Sequence, residues 1–281
     1  MTNRIKEAIK AVFKVPLRVS PRLNFLYTVH RRNRNLFRAP VQTPYGFNLC
    51  GNKGMESGDF EQEEVKKIQS KLETVDLFIN IGSNIGYYAC IAAAMGKQVI
   101  AFEPDSANCN LLYKNIHING FDELIEVFPV ALADRVGILE LFGLGTGASI
   151  VNIWDVKEDG VLIPVNALDS ILAHRLTGLR CLFLMDVEGA EHLVLRGAGQ
   201  CLEADAEWII EITAPEHKGN SLAGKNRFKD VFDLFDAKGL KPFLLSDGLP
   251  ITPKEIDEAE QGKCIRLSKE SMFSFSRDLP P

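Results

Sequence analysis

Val75-Asp76-Leu77-Phe78-Ile79-Asn80-Ile81-Gly82-Ser83-Asn84-Ile85-Gly86-Tyr87-Tyr88 runs from an apolar strand, through a turn with two glycines, into a helix. Near-continuous apolar residues over 75–81 predict a strand covered on both faces, as in a parallel sheet. A glycine at the strand end lets the backbone pass close to a ligand, and the helix that follows presents free N–H groups. Together they build an adenosine pocket. A second apolar strand, Gln98-Val99-Ile100-Ala101-Phe102, ends in Glu103-Pro104. A carboxylate at that strand end accepts ribose hydroxyls.

Two cofactor classes share this plan. A dinucleotide fingerprint requires glycine at 80, 82 and 85, but the chain carries Asn80, Gly82 and Ile85. The N-x-G-x-x-x-G form suits a ligand with no pyrophosphate to cradle, which favours S-adenosylmethionine over a nicotinamide cofactor. A tight turn in a non-binding α/β domain is the bland alternative. The candidate contacts are Asn80, Gly82, Ser83, Asn84, Gly86, Tyr87, Glu103, Pro104 and Asp105, with Ala131 and Leu132 where such domains meet adenine. Of Tyr87 and Tyr88, one is expected to face the cofactor and the other the core.

Outward from this stretch, strands are expected near 75–81, 97–102, 124–129, 180–186 and 207–213. Helices fit over 85–95, 105–118, 168–175, 189–197 and 226–238, the alternation of βαβ units. The segment 136–165 reads as an inserted hairpin around the glycine-rich loop Gly143 to Ser149. Two further strands are expected at Lys241–Ser246 and Lys263–Ser268, the last as an antiparallel edge. Ahead of the sheet, Pro44 to Leu49 reads as a turn and short strand, and Glu61 to Leu72 as an amphipathic helix.

The 281 residues carry a formal net charge of -5. Residues 1–40 hold ten Lys/Arg against a single acid, Glu7, so the remainder is strongly acidic. Ile5, Ile9, Val12 and Phe13 recur at helical spacing, which predicts a cationic amphipathic helix over 2–14. Docking of this arm on the protein's own acidic body is the leading reading. Peripheral contact of residues 1–40 with an anionic membrane is the second. No run of residues is long and apolar enough to span a bilayer. Six scattered cysteines without a C-x-x-C pair read as the reduced thiols of a cytoplasmic protein, and neither they nor the five histidines have zinc spacing.

Asp186 falls at the end of the fourth strand, Glu188 in the turn after it and Glu211 near the end of the fifth, so three carboxylates converge beside the cofactor. They suit a base, binders of substrate hydroxyls, or oxygen ligands of a Mg-like ion; the first two are favoured and no metal is expected. A charge pair at a helix N-terminus is the alternative for Asp186 and Glu188. His217, in the loop after Glu211, is the histidine best placed to act as a base.

With Asn80 to Tyr88, Phe102-Glu103-Pro104-Asp105 and Met185-Asp186-Val187-Glu188-Gly189-Ala190-Glu191 in hand, the chain resembles the FkbM family of S-adenosylmethionine-dependent methyltransferases. Tyr45-Gly46-Phe47, Gly58-Asp59-Phe60-Glu61, Val194 to Ala198 and Ile209 to Ile212 extend the likeness over roughly 41–246. The resemblance implies an α/β class I methyltransferase fold, Rossmann-like and doubly wound, with a mostly parallel sheet and an N-terminal helical or β-hairpin extension. The charge distribution and the onset of the βαβ pattern predict a basic arm with its capping elements over 1–73 and a methyltransferase domain over 74–281. The resemblance also implies O-methylation of a hydroxyl on a sugar, glycan or natural product. Two positions depart from the family pattern: Asn80 stands where Asp is usual, and Leu184 where Lys is usual. An asparagine cannot neutralise an ammonium. Those departures keep open a catalytically degenerate binding module. A nucleic-acid methyltransferase is a further rival, disfavoured by the acidic body, and no nucleic-acid partner is expected. The oligomeric state stays open.

Overall fold

The computed structural model describes residues 33–143, 147–151, 160–212, 227–268 and 271–277. The chain divides into two compact units, Met1–Ala39 and Pro40–Pro281. Of the first unit a 3-10 turn, Arg34–Phe37, is described; the helix expected over 2–14 lies outside the described residues.

The second unit opens with a hairpin, β1 (Val41–Gln42) and β2 (Asn48–Leu49), and two helices, α1 (Lys53–Ser57) and α2 (Gln62–Leu72). Alternating elements follow: β3 (Leu77–Ile81), α3 (Tyr87–Ala94), β4 (Gln98–Phe102), α4 (Ser106–Ile118) and β5 (Ile125–Phe128). A small sheet comes next, β6 (Ala131–Leu132), β7 (Gly137–Leu141) and β8 (Val161–Asn166), then α5 (Leu168–Leu172), β9 (Cys181–Met185), α6 (Glu191–Arg196) and β10 (Ala206–Glu211). The chain ends with α7 (Phe228–Asp236), β11 (Lys241–Leu244), α8 (Pro253–Glu260), α9 (Ile265–Ser268) and β12 (Met272–Ser276).

Seven strands form the central sheet in the order β11-β12-β10-β9-β3-β4-β5. Neighbours from β10 to β5 are parallel, and β12 alone runs against the rest. This is a mixed α/β fold with a mostly parallel sheet. The chain leaves β3 towards β4 and β5, then returns to β9 on the other side of β3. The switch point therefore lies between β3 and β9, where open α/β sheets bind ligands.

Side chains alternate across each strand. Leu77, Ile79 and Ile81 join Cys181, Phe183, Met185, Trp208 and Ile210 in the main core. In register, Asn80 pairs with Leu184, and Ile210 with Met185. Asn80, Leu184, Ile209 and the strand-end Glu211 consequently share the opposite face.

The C-terminal part differs from expectation. Residues Lys263–Ser268 do not form a strand: Cys264 and Leu267, three apart and both buried, lie in and before the short helix α9. The last strand is β12, where Phe273 and Phe275 alternate into the core, and it lies inside the sheet with β11 as the edge. Phe275 stacks on Phe235 at 3.9 Å, and Phe273 meets Phe232 edge-on at 5.4 Å.

Residues 41–73, expected to go with the basic arm, are tied to the sheet unit. Asn48 N–H donates to Asn119 Oδ1 and Asn119 Nδ2 to Asn48 O, both at 2.7 Å. The fully buried Asn115 accepts from Cys50 N–H and donates to Ile85 O. All six cysteines are buried and unbridged. Among the described residues no helix is long and apolar enough to cross a membrane.

Candidate active site

The turn after β3 is held by its own backbone. Gly82 and Ser83 N–H both donate to Phe102 O at 2.9 Å, and Gly86 N–H donates to Ser83 O at 2.8 Å. Ser83 Oγ donates to Asn80 O at 2.7 Å. Gly82 has φ 81°, and a Cβ there would lie 1.8 Å from Asp186 O. The close neighbour that requires this glycine is thus the end of β9, beyond any requirement of a ligand. Gly86, φ 88°, caps α3, and a Cβ there would meet Leu112 Cδ1 at 2.4 Å.

Glu103 is 5% exposed and held by three donors. Its Oε2 accepts from Asn84 N–H at 2.8 Å; its Oε1 accepts from Asp105 N–H at 2.8 Å and Asn108 Nδ2 at 3.2 Å. Burial outweighs these donors and pushes its carboxyl up to about 7. A carboxylate has about four acceptor positions, so one remains, on Oε2, for a ligand hydroxyl. Asp105 is occupied as the cap of α4, accepting from Ala107 and Asn108 N–H. It acts on the cleft through Asn108, whose side chain holds Glu103. Asn108 was not singled out by sequence; a polar residue one turn into a buried helix was the available signal.

Asn84, Glu103 and Asn108 line a cleft of about 580 Å³, a space that includes its open mouth. Pro104, Ala131 and Leu132 belong to the lining, as do Ala148 and Ser149 of the glycine-rich segment and Ile150 after it. Ser149 is fastened by paired backbone bonds with Phe142, at 2.8 and 2.9 Å, and its Oγ donates to Val187 O at 3.4 Å. The other rim is acidic: Asp186 and Glu188 line it, Glu188 at φ 52°. Asp186 N–H donates to Ile81 O at 3.0 Å, which fastens the β9 end to β3. Gly189 N–H donates to Glu191 Oε1 at 2.8 Å, so Glu191 closes the turn into α6.

Glu211 ends β10 beside the end of β9. Burial, then repulsion from Glu61 and Glu188, pushes it up to about 7. Burial, then repulsion from Glu211 and Glu188, likewise holds Asp186 well above the usual carboxylate range. Neither Lys nor Arg lines the cleft among the described residues, and no cluster of three metal-ligating side chains is found among them. His217 lies outside the described residues.

Asn80, Ser83, Gly86, Tyr87, Asp105 and Glu211 sit away from the cleft lining. Tyr87 is 2% exposed; its hydroxyl donates to Phe60 O at 3.5 Å, and its ring meets Tyr45 and Phe60 edge-on. Asn80 is 2% exposed and its Oδ1 has no hydrogen-bond partner. Glu61 was missed. It starts α2 at φ 46° and accepts from Tyr88 OH at 2.5 Å.

A glycine turn after β3, a buried carboxylate at the next strand end and acids at the switch point are arranged as a class I methyltransferase fold would place its site. The model of the methyltransferase FkbM domain matches residues 80–241, more than half of the chain, and the chain belongs to that family of S-adenosylmethionine-dependent methyltransferases. Among solved structures it is similar to the methyltransferase FkbM of Methylobacillus flagellatus KT, at 17% identity and TM-score 0.42 over 71% of this chain. The match spans 43% of that protein's length. A putative O-methyltransferase of Klebsiella pneumoniae is similar at 12% identity and TM-score 0.43, over 77% of this chain and 79% of that one. A Bacillus cereus O-methyltransferase in complex with SAH is similar at 11% identity and TM-score 0.42, over 76% and 79%. No curated protein matches the chain.

Proposed function

We propose that this chain binds S-adenosylmethionine in the cleft between Glu103 and Asp186 and methylates a hydroxyl of a sugar, glycan or natural product. The reading is carried by the pair Asp186 and Glu211, adjacent strand-end carboxylates that burial and mutual repulsion hold above the ordinary range. Glu103 receives a ribose hydroxyl, and the Leu132 and Ile150 walls flank the base. The orphaned Oδ1 of Asn80 and the one open acceptor position of Glu103 fit a ligand carrying an ammonium and hydroxyls.

When bound, the cofactor supplies a methyl group on a sulfonium, open to in-line displacement. The protein's part is to hold the acceptor oxygen in line with that carbon, an effect worth up to about 7–11 kcal/mol. The Asp186–Glu211 pair would take the proton that the acceptor hydroxyl gives up. Its raised affinity for a proton brings it nearer to the working pH and makes it a stronger base than an exposed carboxylate. The wall of Ala148 to Ile150 shields the reacting atoms from water.

Transfer of labelled methyl groups to a panel of neutral hydroxyl acceptors, with and without chelator, tests the reading. Asp186→Asn should lower kcat by about 10²–10⁴-fold and leave the affinity for S-adenosylhomocysteine nearly unchanged. Full activity in that variant, or labelling confined to amine or nucleic-acid acceptors, would sink it. Absence of any S-adenosylmethionine binding would instead favour the degenerate-module reading that Asn80 and Leu184 motivate.

A further inference from the structure

The cofactor proposed above carries an amino-acid end with an ammonium group, and that charge needs a partner. Across the strand order, the walls at Ala131–Leu132 and the carboxylate of Glu103 lie on the β4–β5 side of the switch point. A ligand seated there extends over β3 towards the ends of β9 and β10. Asn80, next to the lining residue Ile81 but itself buried outside the lining, has an unpartnered Oδ1, which accepts a hydrogen bond but carries no charge.

The charge is available one element upstream. Glu61 begins α2, yet its side chain makes no capping bond to that helix. It takes up a left-handed backbone, φ 46°, which for a residue other than glycine persists only where the surroundings enforce it. The enforcing contacts come from the first turn of α3, directly after the cofactor turn. Tyr88 OH donates to Glu61 Oε2, while Tyr87 OH reaches Phe60 O and its ring packs edge-on against Phe60 at 5.7 Å. Glu61 forms no ion pair with any described residue. Its carboxyl is raised from its ordinary value, by burial first, and its charge repels those of Glu211 and, more weakly, Asp186.

We infer that Glu61, positioned by Tyr88, is the counter-ion for the amino-acid ammonium of the cofactor, supplying the charge that Asn80 lacks while Asn80 Oδ1 accepts a hydrogen bond from the same group. This assignment rests on the cofactor reading of the cleft, and calorimetry with two ligands separates them. S-adenosylhomocysteine carries the ammonium; 5′-methylthioadenosine keeps the adenosine and lacks the amino-acid end.

In the full chain, Glu61→Gln keeps the shape and an acceptor for Tyr88 but removes the charge. It should weaken S-adenosylhomocysteine by about 10- to 100-fold and methylthioadenosine by less than about twofold. Tyr88→Phe should produce the same selectivity at smaller size, and Asn80→Asp placed in the Glu61→Gln background should recover most of the lost affinity. Equal losses for both ligands, or unchanged S-adenosylhomocysteine affinity in Glu61→Gln, would overturn the assignment and leave the cofactor reading standing. A wild-type chain that binds neither ligand would overturn both.

Discussion

A methyl group at position 82 has nowhere to go. The 1.8 Å separation between its Cβ and Asp186 O is far inside van der Waals contact, and the left-handed φ adds strain for any other residue. Gly82→Ala should therefore destabilise the fold by more than about 2 kcal/mol and push the β9 end away from β3, weakening S-adenosylhomocysteine binding as well. Chemical denaturation with calorimetry checks this; a variant of wild-type stability and affinity would contradict the packing described. The residue scale also shows what spacing makes visible. Glu103 stands out in the sequence because its offset from Gly82 reflects a short, local βαβ unit. Glu61 does not, because its partner Tyr88 is brought to it only when α2 docks beside α3, and nothing in the local pattern of 58–64 marks that meeting.

Among the elements, the ends of β9 and β10 are where acid chemistry and stability are linked. Glu211 binds its proton more tightly in the folded chain than an exposed glutamate does. The folded state then holds more bound protons than the unfolded one between the ordinary carboxylate range and about 7. Glu211 thus contributes stability that is complete at the acid end of that window and lost as pH rises through it. Thermal unfolding of the ligand-free protein should show a higher Tm near pH 5.5 than near pH 8, and Glu211→Gln should narrow the difference by a few degrees, at roughly 2–4 °C per kcal/mol. An unchanged difference would show that Glu211 is not the group responsible. On the proposed reading methyl transfer has the opposite dependence, since a pair that serves as a base must be deprotonated, and its rate should rise through about pH 7. The C-terminal elements carry a different lesson. In Lys263–Ser268 the pattern is too short to separate period two from a helical turn, whereas Phe273 and Phe275 bracket a clear alternation that makes β12.

For the whole molecule, the described lining of the cleft comes from the unit that begins at Pro40. A chain of residues 40–281 should fold cooperatively and bind S-adenosylhomocysteine within about twofold of the full chain, a difference below roughly 0.5 kcal/mol. Larger loss of affinity would mean that the basic arm contributes to the site. The same deletion removes ten Lys/Arg and leaves an acidic protein. The acidic rim of the cleft, with neither Lys nor Arg among its described lining, disfavours phosphate-bearing acceptors through like-charge repulsion.

Local order was written in the chain. Apolar runs of strand length, the glycines at 82 and 86, and Glu103 at the end of the next strand announce a parallel sheet with a cleft at its strand ends, because each depends on residues close in sequence. Folding decided the rest. Only the sheet order brings Asp186 from β9 against Gly82 of β3, only docking of α2 sets Glu61 under Tyr88, and only the return of residues 148–150 closes the cleft. Such contacts join segments tens of residues apart, where loop closure and packing of the finished core determine which side chains meet.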